Sequence, residues 1–130
     1  MAEGYGMGRL GKSDLLGRAE RFCHRVLDVA EELERQRRYP RILDQIVGSG
    51  TSVGANLFEA DEAVSRAEFR KFVGIAQREL SETRFWLRLI AQREWIPADR
   101  LASLLGECDE LRRVLGTILH RTRPGDGPAR

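Results

Sequence analysis

Apolar and small residues recur at alternating spacings of three and four along most of this chain. The pattern is longest in the second and third of four such segments, where it runs from Leu43 to Val64 and from Phe69 to Ile90. Residues three and four apart share one face of a helix, so a sustained period of seven is typical of helices that pack along a common seam. The sequence therefore predicts a helical bundle. Strand is a rival only in the second segment, around Thr51-Ser52-Val53, where the same period favours helix.

The breaks in the pattern divide the chain into four helices, predicted over residues 13–37, 40–64, 65–93 and 97–121. Short links favour antiparallel neighbours, so the expected fold is all-α, an antiparallel up-down-up-down four-helix bundle in one domain over residues 13–121. The glycine-rich residues 1–12 are predicted to be a flexible leader, and residues 122–130 a flexible tail.

The ends of two helices carry recognisable capping residues. Ser13 is the expected N-cap of the first helix. Ser65 and Glu68 are spaced as a capping box, in which the serine accepts a bond from the backbone N–H three residues on and the glutamate reaches back.

Composition and charge exclude several classes of protein. The net charge of the 130-residue chain is only +2, so charge alone does not identify a partner. No segment has the length and hydropathy of a membrane span, and the N-terminus lacks the apolar run of a signal peptide. Cys23 and Cys108 each fall on an apolar stripe, as buried free thiols do. A cytoplasmic protein without membrane contact is expected.

The sequence offers little for catalysis. Its two histidines, His24 and His120, are isolated and do not have metal-ligand spacing. No phosphate-binding glycine loop or nucleophile elbow is present. We therefore predict no enzyme, no metal and no cofactor. Glu79 and Glu82 are the one carboxylate pair of note, and such pairs are common on helix surfaces.

A polar stripe accompanies the apolar seam of the second helix. It consists of Gln45, Ser49, Ser52, Asn56 and Glu59. An antiparallel hairpin would bring Glu79 and Glu82 to the same height, where they could accept hydrogen bonds from the serines and Gln45. Three interpretations remain open: a solvated face, a polar seam that fixes helix register or forms a subunit contact, and a ligand or catalytic site.

Small and aromatic residues indicate close contacts. Gly48, Gly50 and Gly54 crowd the second helix, and we favour close packing against the backbone of the third helix or of a neighbouring subunit over a functional kink. Phe85, Trp86 and Trp95 cannot all fit one narrow seam. They indicate either self-association or a cover over the end of the bundle.

Arginines cluster at one predicted end of the bundle. They are Arg35, Arg37, Arg38 and Arg41, joined in this topology by Arg93 and Arg100. Such an end could receive the phosphates of a nucleic acid. Acidic residues lie nearby, so a solvated, salt-bridged surface is the competing interpretation.

The second and third predicted helices resemble the bacterial four-helix bundle proteins first known from intervening sequences of large-subunit ribosomal RNA genes. The matching residues are Gln45-Ile46, Ser49 to Asn56 (S-G-T-S-V-G-A-N), Glu59-Ala60, Ser65, Glu68-Phe69, Lys71, Ile75-Ala76, Glu79, Glu82-Thr83 and Trp86-Leu87. The family often has tyrosine where this chain has Phe85. The resemblance implies a ring-like homo-oligomer, a pentamer.

A more distant similarity is to the accessory variability determinant of diversity-generating retroelements, which assists a reverse transcriptase and contacts nucleic acid through a basic oligomeric barrel. By analogy, the resemblance implies a non-enzymatic accessory protein that binds RNA, DNA or a nucleic-acid enzyme such as a reverse transcriptase. The alternative is a protein-binding scaffold or regulator without nucleic-acid affinity.

Overall fold

The computed structural model describes residues 4–125 and confirms an all-α four-helix bundle. The helices are α1 (Leu15–Arg35), α2 (Pro40–Asp61), α3 (Arg66–Gln92) and α4 (Ala98–Arg121). Most residues of each predicted seam are buried, with Phe22, Leu57, Leu87 and Leu111 among the largest fully enclosed side chains. Residues 1–3 and 126–130, the outer parts of the predicted leader and tail, lie outside the described residues.

The start of α3 confirms the capping box. The Ser65 hydroxyl oxygen accepts a hydrogen bond from the backbone N–H of Glu68 at 3.1 Å. The Glu68 carboxylate accepts in return from the N–H of Val64 at 3.1 Å, one residue before the usual partner of such a box. The first bond satisfies a backbone donor that the first turn of a helix leaves unpaired, and the second satisfies the amide that precedes the N-cap.

The prediction that Ser13 caps α1 is wrong. Ser13 belongs to a short 3-10 turn, Gly11–Ser13, and its hydroxyl donates to the carbonyl oxygen of Leu10 at 3.0 Å. Asp14 is the residue before α1, in a left-handed conformation with φ of 59° and no side-chain capping bond. The Ser13 hydroxyl is therefore engaged within this turn and does not cap α1, which begins two residues later.

The first described residues pack on the end of the α2–α3 hairpin, contacts that the expectation of a flexible leader did not include. The Gly6 N–H donates to the carbonyl oxygen of Ala63 at 2.7 Å, and the Leu10 N–H donates to the Asp61 carboxylate at 2.9 Å. Leu10 is 4% exposed. Only glycine fits at position 6, because a Cβ there would lie 1.8 Å from the Ala60 carbonyl oxygen.

Helix α2 ends three residues earlier than predicted, at Asp61. Val64, which the period placed on the apolar seam, is 73% exposed. The N-terminal segment takes the Ala63 carbonyl and the Asp61 carboxylate, and the α3 capping box takes the Val64 amide. The Ala63 carbonyl and the Val64 amide are backbone groups that another turn of α2 would need for its own hydrogen bonds.

Close packing between α1 and α2 depends on two of the three glycines in α2. A Cβ at Gly50 would lie 2.5 Å from Val26 Cγ1, and one at Gly54 would lie 2.7 Å from the Cys23 sulfur. Gly48 faces open space. Close packing therefore occurs at Gly50 and Gly54, in a helix that is continuous from Pro40 to Asp61. The close neighbour is α1, whereas the prediction named the third helix or a neighbouring subunit.

Both cysteines are free thiols that bridge neighbouring helices. The Cys23 thiol donates to the Gly50 carbonyl at 3.2 Å, and the Cys108 thiol donates to the Leu80 carbonyl at 3.4 Å. Burial raises the pKa of Cys108 to about 12, and burial also raises the pKa of Cys23. Both groups therefore stay protonated near neutral pH and act as small core residues with a weak donor.

The edge between α1 and α4 is held by long polar side chains. The Arg18 guanidinium pairs with the Glu107 carboxylate at 2.9 Å, and Arg25 donates to the Ser103 hydroxyl at 2.9 Å. Beyond these contacts a surface groove of about 280 Å³ opens between the two helices.

Candidate functional site

The structure brings the α1–α2 link and the α3–α4 link together at one end of the bundle. The Gln36 side-chain amide donates to the Trp95 carbonyl oxygen at 2.8 Å, and the Arg38 guanidinium lies 4.9 Å from the centre of the Trp95 ring. The two links therefore form one surface. We call the six predicted arginines of this end, Arg35, Arg37, Arg38, Arg41, Arg93 and Arg100, the arginine corner.

Few charges in the arginine corner are neutralised by direct pairing. Arg35 forms an ion pair with Glu32 at 2.9 Å. A hydrogen bond from Gln36, followed by that pair, lowers the pKa of Glu32. Arg38 donates to the Gln36 side-chain oxygen at 2.9 Å. Within residues 4–125, Arg35 is the one member of the six that has a carboxylate within 4.0 Å. Five guanidinium groups thus keep their charge available at the surface.

The arginine corner is not one flat patch. Arg35 and Arg100 line the groove between α1 and α4, whereas Arg38 packs over Trp95. Arg37 lies in the α1–α2 link with φ of 58°, and Arg41 is exposed in the first turn of α2. Arg93 follows the last residue of α3. The six charges surround the end of the bundle.

Tyr39 is the residue of this end that sequence reasoning missed. It is 60% exposed, and its ring centre lies 5.7 Å from that of the mostly buried Trp95. It immediately precedes Pro40 and stands between arginines in the chain. Its position as an aromatic residue within a run of arginines is the sequence feature that could have indicated a role in binding.

The polar stripe of α2 divides into different environments. Ser49 is buried, and its hydroxyl oxygen accepts a bond from the Thr83 hydroxyl at 2.9 Å. Asn56 donates to the Ser52 hydroxyl oxygen at 2.9 Å within the same helix. Gln45 and Glu59 are exposed. The hydrogen-bond partner of Ser49 is therefore Thr83, a residue of the apolar seam, and not the predicted carboxylate of Glu79 or Glu82.

The expected hydrogen bonds from the serines and Gln45 to Glu79 and Glu82 are not formed among the described residues. Glu82 instead accepts from the Trp86 indole N–H at 3.2 Å. Burial and the neighbouring Glu82 raise the pKa of Glu79. The carboxylates lie on the flank of α3, half-buried, whereas Ser49 points into the core and reaches Thr83.

The aromatic residues near the end of α3 separate into two groups. Trp95 is buried in the bundle end. Phe85 is 57% exposed, and its ring lies 5.0 Å from that of the half-buried Trp86 in an edge-to-face arrangement. Trp95 thus covers the end of the bundle, as one of the two interpretations predicted. The Phe85–Trp86 pair lies on the surface and does not cover that end.

Residues 4–125 contain neither a membrane-spanning helix nor a cluster of metal-ligating side chains. No helix of these residues has the length and hydropathy needed to cross a membrane. Within the same residues, no group of three or more His, Cys, Asp and Glu side chains is placed to hold a metal ion.

Comparisons with known proteins agree with this architecture. The model of a family described as 23S rRNA-intervening sequence protein matches residues 12–117. A solved structure from Bacteroides thetaiotaomicron, described as a protein with unknown function from the S23 ribosomal protein family, has a TM-score of 0.76 and 32% sequence identity. The match covers 80% of this chain and 96% of that one. A search of curated proteins finds no match.

Proposed function

Since this chain belongs to the 23S rRNA-intervening sequence protein family, we propose that it is a non-enzymatic, oligomeric accessory protein that binds single-stranded nucleic acid through its arginine corner. The observation that carries the proposal is Tyr39, a largely exposed ring between arginines. Proteins that bind single strands combine basic residues along the backbone with aromatic rings on which bases stack.

The geometry of the corner favours a single strand over a duplex. Tyr39 rests against Trp95, and the Arg38 guanidinium covers another part of the Trp95 ring. Tyr39 therefore has a rigid support behind it and an open face in front. Stacking needs an unpaired base, because the faces of paired bases are covered by their neighbours. Arg37 and Arg41 flank the ring in sequence and would contact phosphates.

We propose further that the protein forms a homo-oligomeric ring, a pentamer as the family resemblance implies. Support comes from the α2–α3 face, where Phe85 is exposed beside Trp86. Glu82 lies beside this pair, because its carboxylate accepts from the Trp86 indole N–H. The other exposed or half-buried polar residues of the proposed contact are Gln45, Ser52, Asn56 and Glu59 on α2 and Glu79 on α3. These residues are the proposed subunit contact, with the buried Ser49 holding α2 to α3. The proposed location is the cytoplasm, which suits two free thiols.

A second candidate function is a protein-binding scaffold or regulator without nucleic-acid affinity, with a nucleic-acid enzyme such as a reverse transcriptase as one class of partner. The exposed Phe85 favours it, since aromatic residues are enriched in protein interfaces. The acidic residues near the arginine corner, which include Glu32, also favour it.

Fluorescence anisotropy with a labelled single-stranded RNA tests the leading proposal. The wild-type protein should bind, and affinity should fall as salt rises. The Tyr39→Ala variant should bind about tenfold more weakly, and Tyr39→Phe should bind like the wild type, because stacking on an aromatic ring contributes about 1–3 kcal/mol per base. DNA of the same sequence gives the RNA-to-DNA preference.

Light scattering tests the oligomer separately. A pentamer would have five times the 14.8 kDa mass of one chain. Phe85→Ala should lower that mass, whereas Tyr39→Ala should leave it unchanged. A wild-type oligomer that binds neither RNA nor DNA at low salt would refute the nucleic-acid proposal and favour the scaffold.

A further inference from the structure

A second arginine-rich surface lies outside the arginine corner, in an open groove of about 600 Å³ between α3 and α4. Arg78 and Arg84 line it from α3, and Arg112 and Arg113 from α4. We call this surface the α3–α4 groove. These four residues are spread over two helices and form no run in the sequence.

The groove carries more positive than negative charge. Arg84 and Arg112 share one oxygen of Asp109, at 2.7 and 3.5 Å. Arg113 pairs with Glu110 at 2.5 Å. In the described part of the chain Arg78 has no carboxylate within ion-pair distance, although the neighbouring Glu79 interacts with it electrostatically. Four guanidinium groups thus face two carboxylates.

The guanidinium donors of the groove are also incompletely used. Arg112 Nε is buried and has no hydrogen-bond partner among the described residues. Solvent does not reach this atom, so a ligand in the groove would contact the terminal nitrogens of the same guanidinium, whose side chain is 40% exposed. Arginine presents five N–H donors in a planar fork that matches the oxygens of a phosphate.

The groove leads toward the arginine corner. Arg88 lies one helical turn beyond Arg84 on α3, and Arg93 follows about 7.5 Å further along the axis. A strand that lies in the groove would therefore approach the same end of the bundle as one that stacks on Tyr39. Gln77 and Ser81, the neutral residues of the lining, add hydrogen-bonding groups without opposing a phosphate.

From these observations we infer that the α3–α4 groove binds the phosphodiester backbone of the nucleic acid and is a second contact surface, distinct from the arginine corner. The inference rests on the proposed function and deepens it. The groove supplies phosphate contacts without a stacking residue, so its contribution is electrostatic and independent of sequence.

The test compares two variants of equal charge in the RNA anisotropy assay. Arg78→Gln/Arg113→Gln removes two charges from the groove, and Arg21→Gln/Arg66→Gln removes two charges from surfaces elsewhere on the bundle. If each groove arginine contacts one phosphate, the groove variant should lose about 25-fold in affinity at about 0.1 M salt. Its salt slope should also fall by about 1.4. The control variant should bind like the wild type.

A variant that removes a negative charge should strengthen binding, a result that a folding defect could not produce. Asp109→Asn should strengthen RNA binding, since it releases Arg84 and Arg112 from their shared carboxylate. Circular dichroism of each variant checks that the bundle is intact.

The outcomes separate the two proposals. Wild-type binding that Arg78→Gln/Arg113→Gln leaves unchanged, together with loss in Tyr39→Ala, overturns the groove and keeps the proposed function. Equal loss in the groove and control variants also overturns the groove, because total charge would explain it. A wild-type protein that binds no nucleic acid overturns both.

Discussion

The interfaces of α2 and the edge between α1 and α4 are built in opposite ways. Helix α2 meets α1 through Gly50 and Gly54, and it meets α3 through the buried Ser49–Thr83 pair. The α1–α4 edge is spanned by Arg18 and Arg25, whose long side chains cross a partly open surface. Small residues in the seam therefore mark where helices touch closely, and charged residues mark an edge that water still reaches.

This contrast indicates where the stability of the bundle is concentrated. Buried groups have no water to replace a lost partner, so their removal is costly. Exposed or half-exposed ion pairs contribute little, because solvent screens them. We expect substitutions along α2 to have large effects and substitutions at the α1–α4 edge to have small ones.

The largest expected effect is at the Ser49–Thr83 pair. Thr83→Val keeps the shape of the side chain and removes its hydroxyl, so the Ser49 oxygen loses its donor in the core. We expect a loss of about 2 kcal/mol in the free energy of unfolding, measured by urea denaturation. The double variant Ser49→Ala/Thr83→Val should recover most of the loss, because neither polar partner remains. Equal losses in both variants would show that the pair is not the cause.

A smaller effect is expected at Gly50. Alanine there gains about 1 kcal/mol in helix propensity but forces Val26, a stiff β-branched residue, out of its place at a cost of about 2 kcal/mol. The net result should be a loss of about 1 kcal/mol. Gly48→Ala is the matched control and should gain about 1 kcal/mol, because nothing lies near its Cβ. Thermal unfolding of both variants measures these changes in stability. A more stable Gly50→Ala variant would contradict the prediction, because it would mean that α1 and α2 can move apart at little energetic cost.

The smallest effect should come from the α1–α4 edge. Arg18→Gln breaks the half-exposed ion pair with Glu107, and we expect a loss of about 0.5 kcal/mol in the free energy of unfolding. The difference from the wild type should shrink at high salt. A loss as large as that of Thr83→Val would erase the distinction between the two kinds of interface.

The period of seven was sufficient to predict the fold, because most residues of an apolar seam are buried between helices whatever the details of the helix ends. It could not predict the end of α2, since Asp61 and Ala63 are engaged by Leu10 and Gly6 from a distant part of the chain. A pattern read along the sequence contains no information on such contacts. The same limit explains Ser13, whose hydroxyl turns back to Leu10.

The candidate sites were less predictable than the fold. The arginine corner followed from topology, because the ends of antiparallel helices meet. Its exposed ring, Tyr39, depends on how Trp95 supports it, which no pattern shows. Thr83 occupies a seam position, where the period predicts an apolar contact. Its bond to Ser49 depends on how α2 and α3 lie side by side, which the pattern within one helix does not contain.

The two tryptophans of the chain give it a built-in optical readout. Trp95 lies beneath Tyr39 and Arg38 in the arginine corner, whereas Trp86 lies beside Phe85 on the proposed subunit contact. Replacing either one by phenylalanine leaves a single emitter whose colour and intensity follow its own surroundings. Emission from Trp95 in the Trp86→Phe variant would then report ligand at the corner, and emission from Trp86 in the Trp95→Phe variant would report assembly, in both cases without an attached dye.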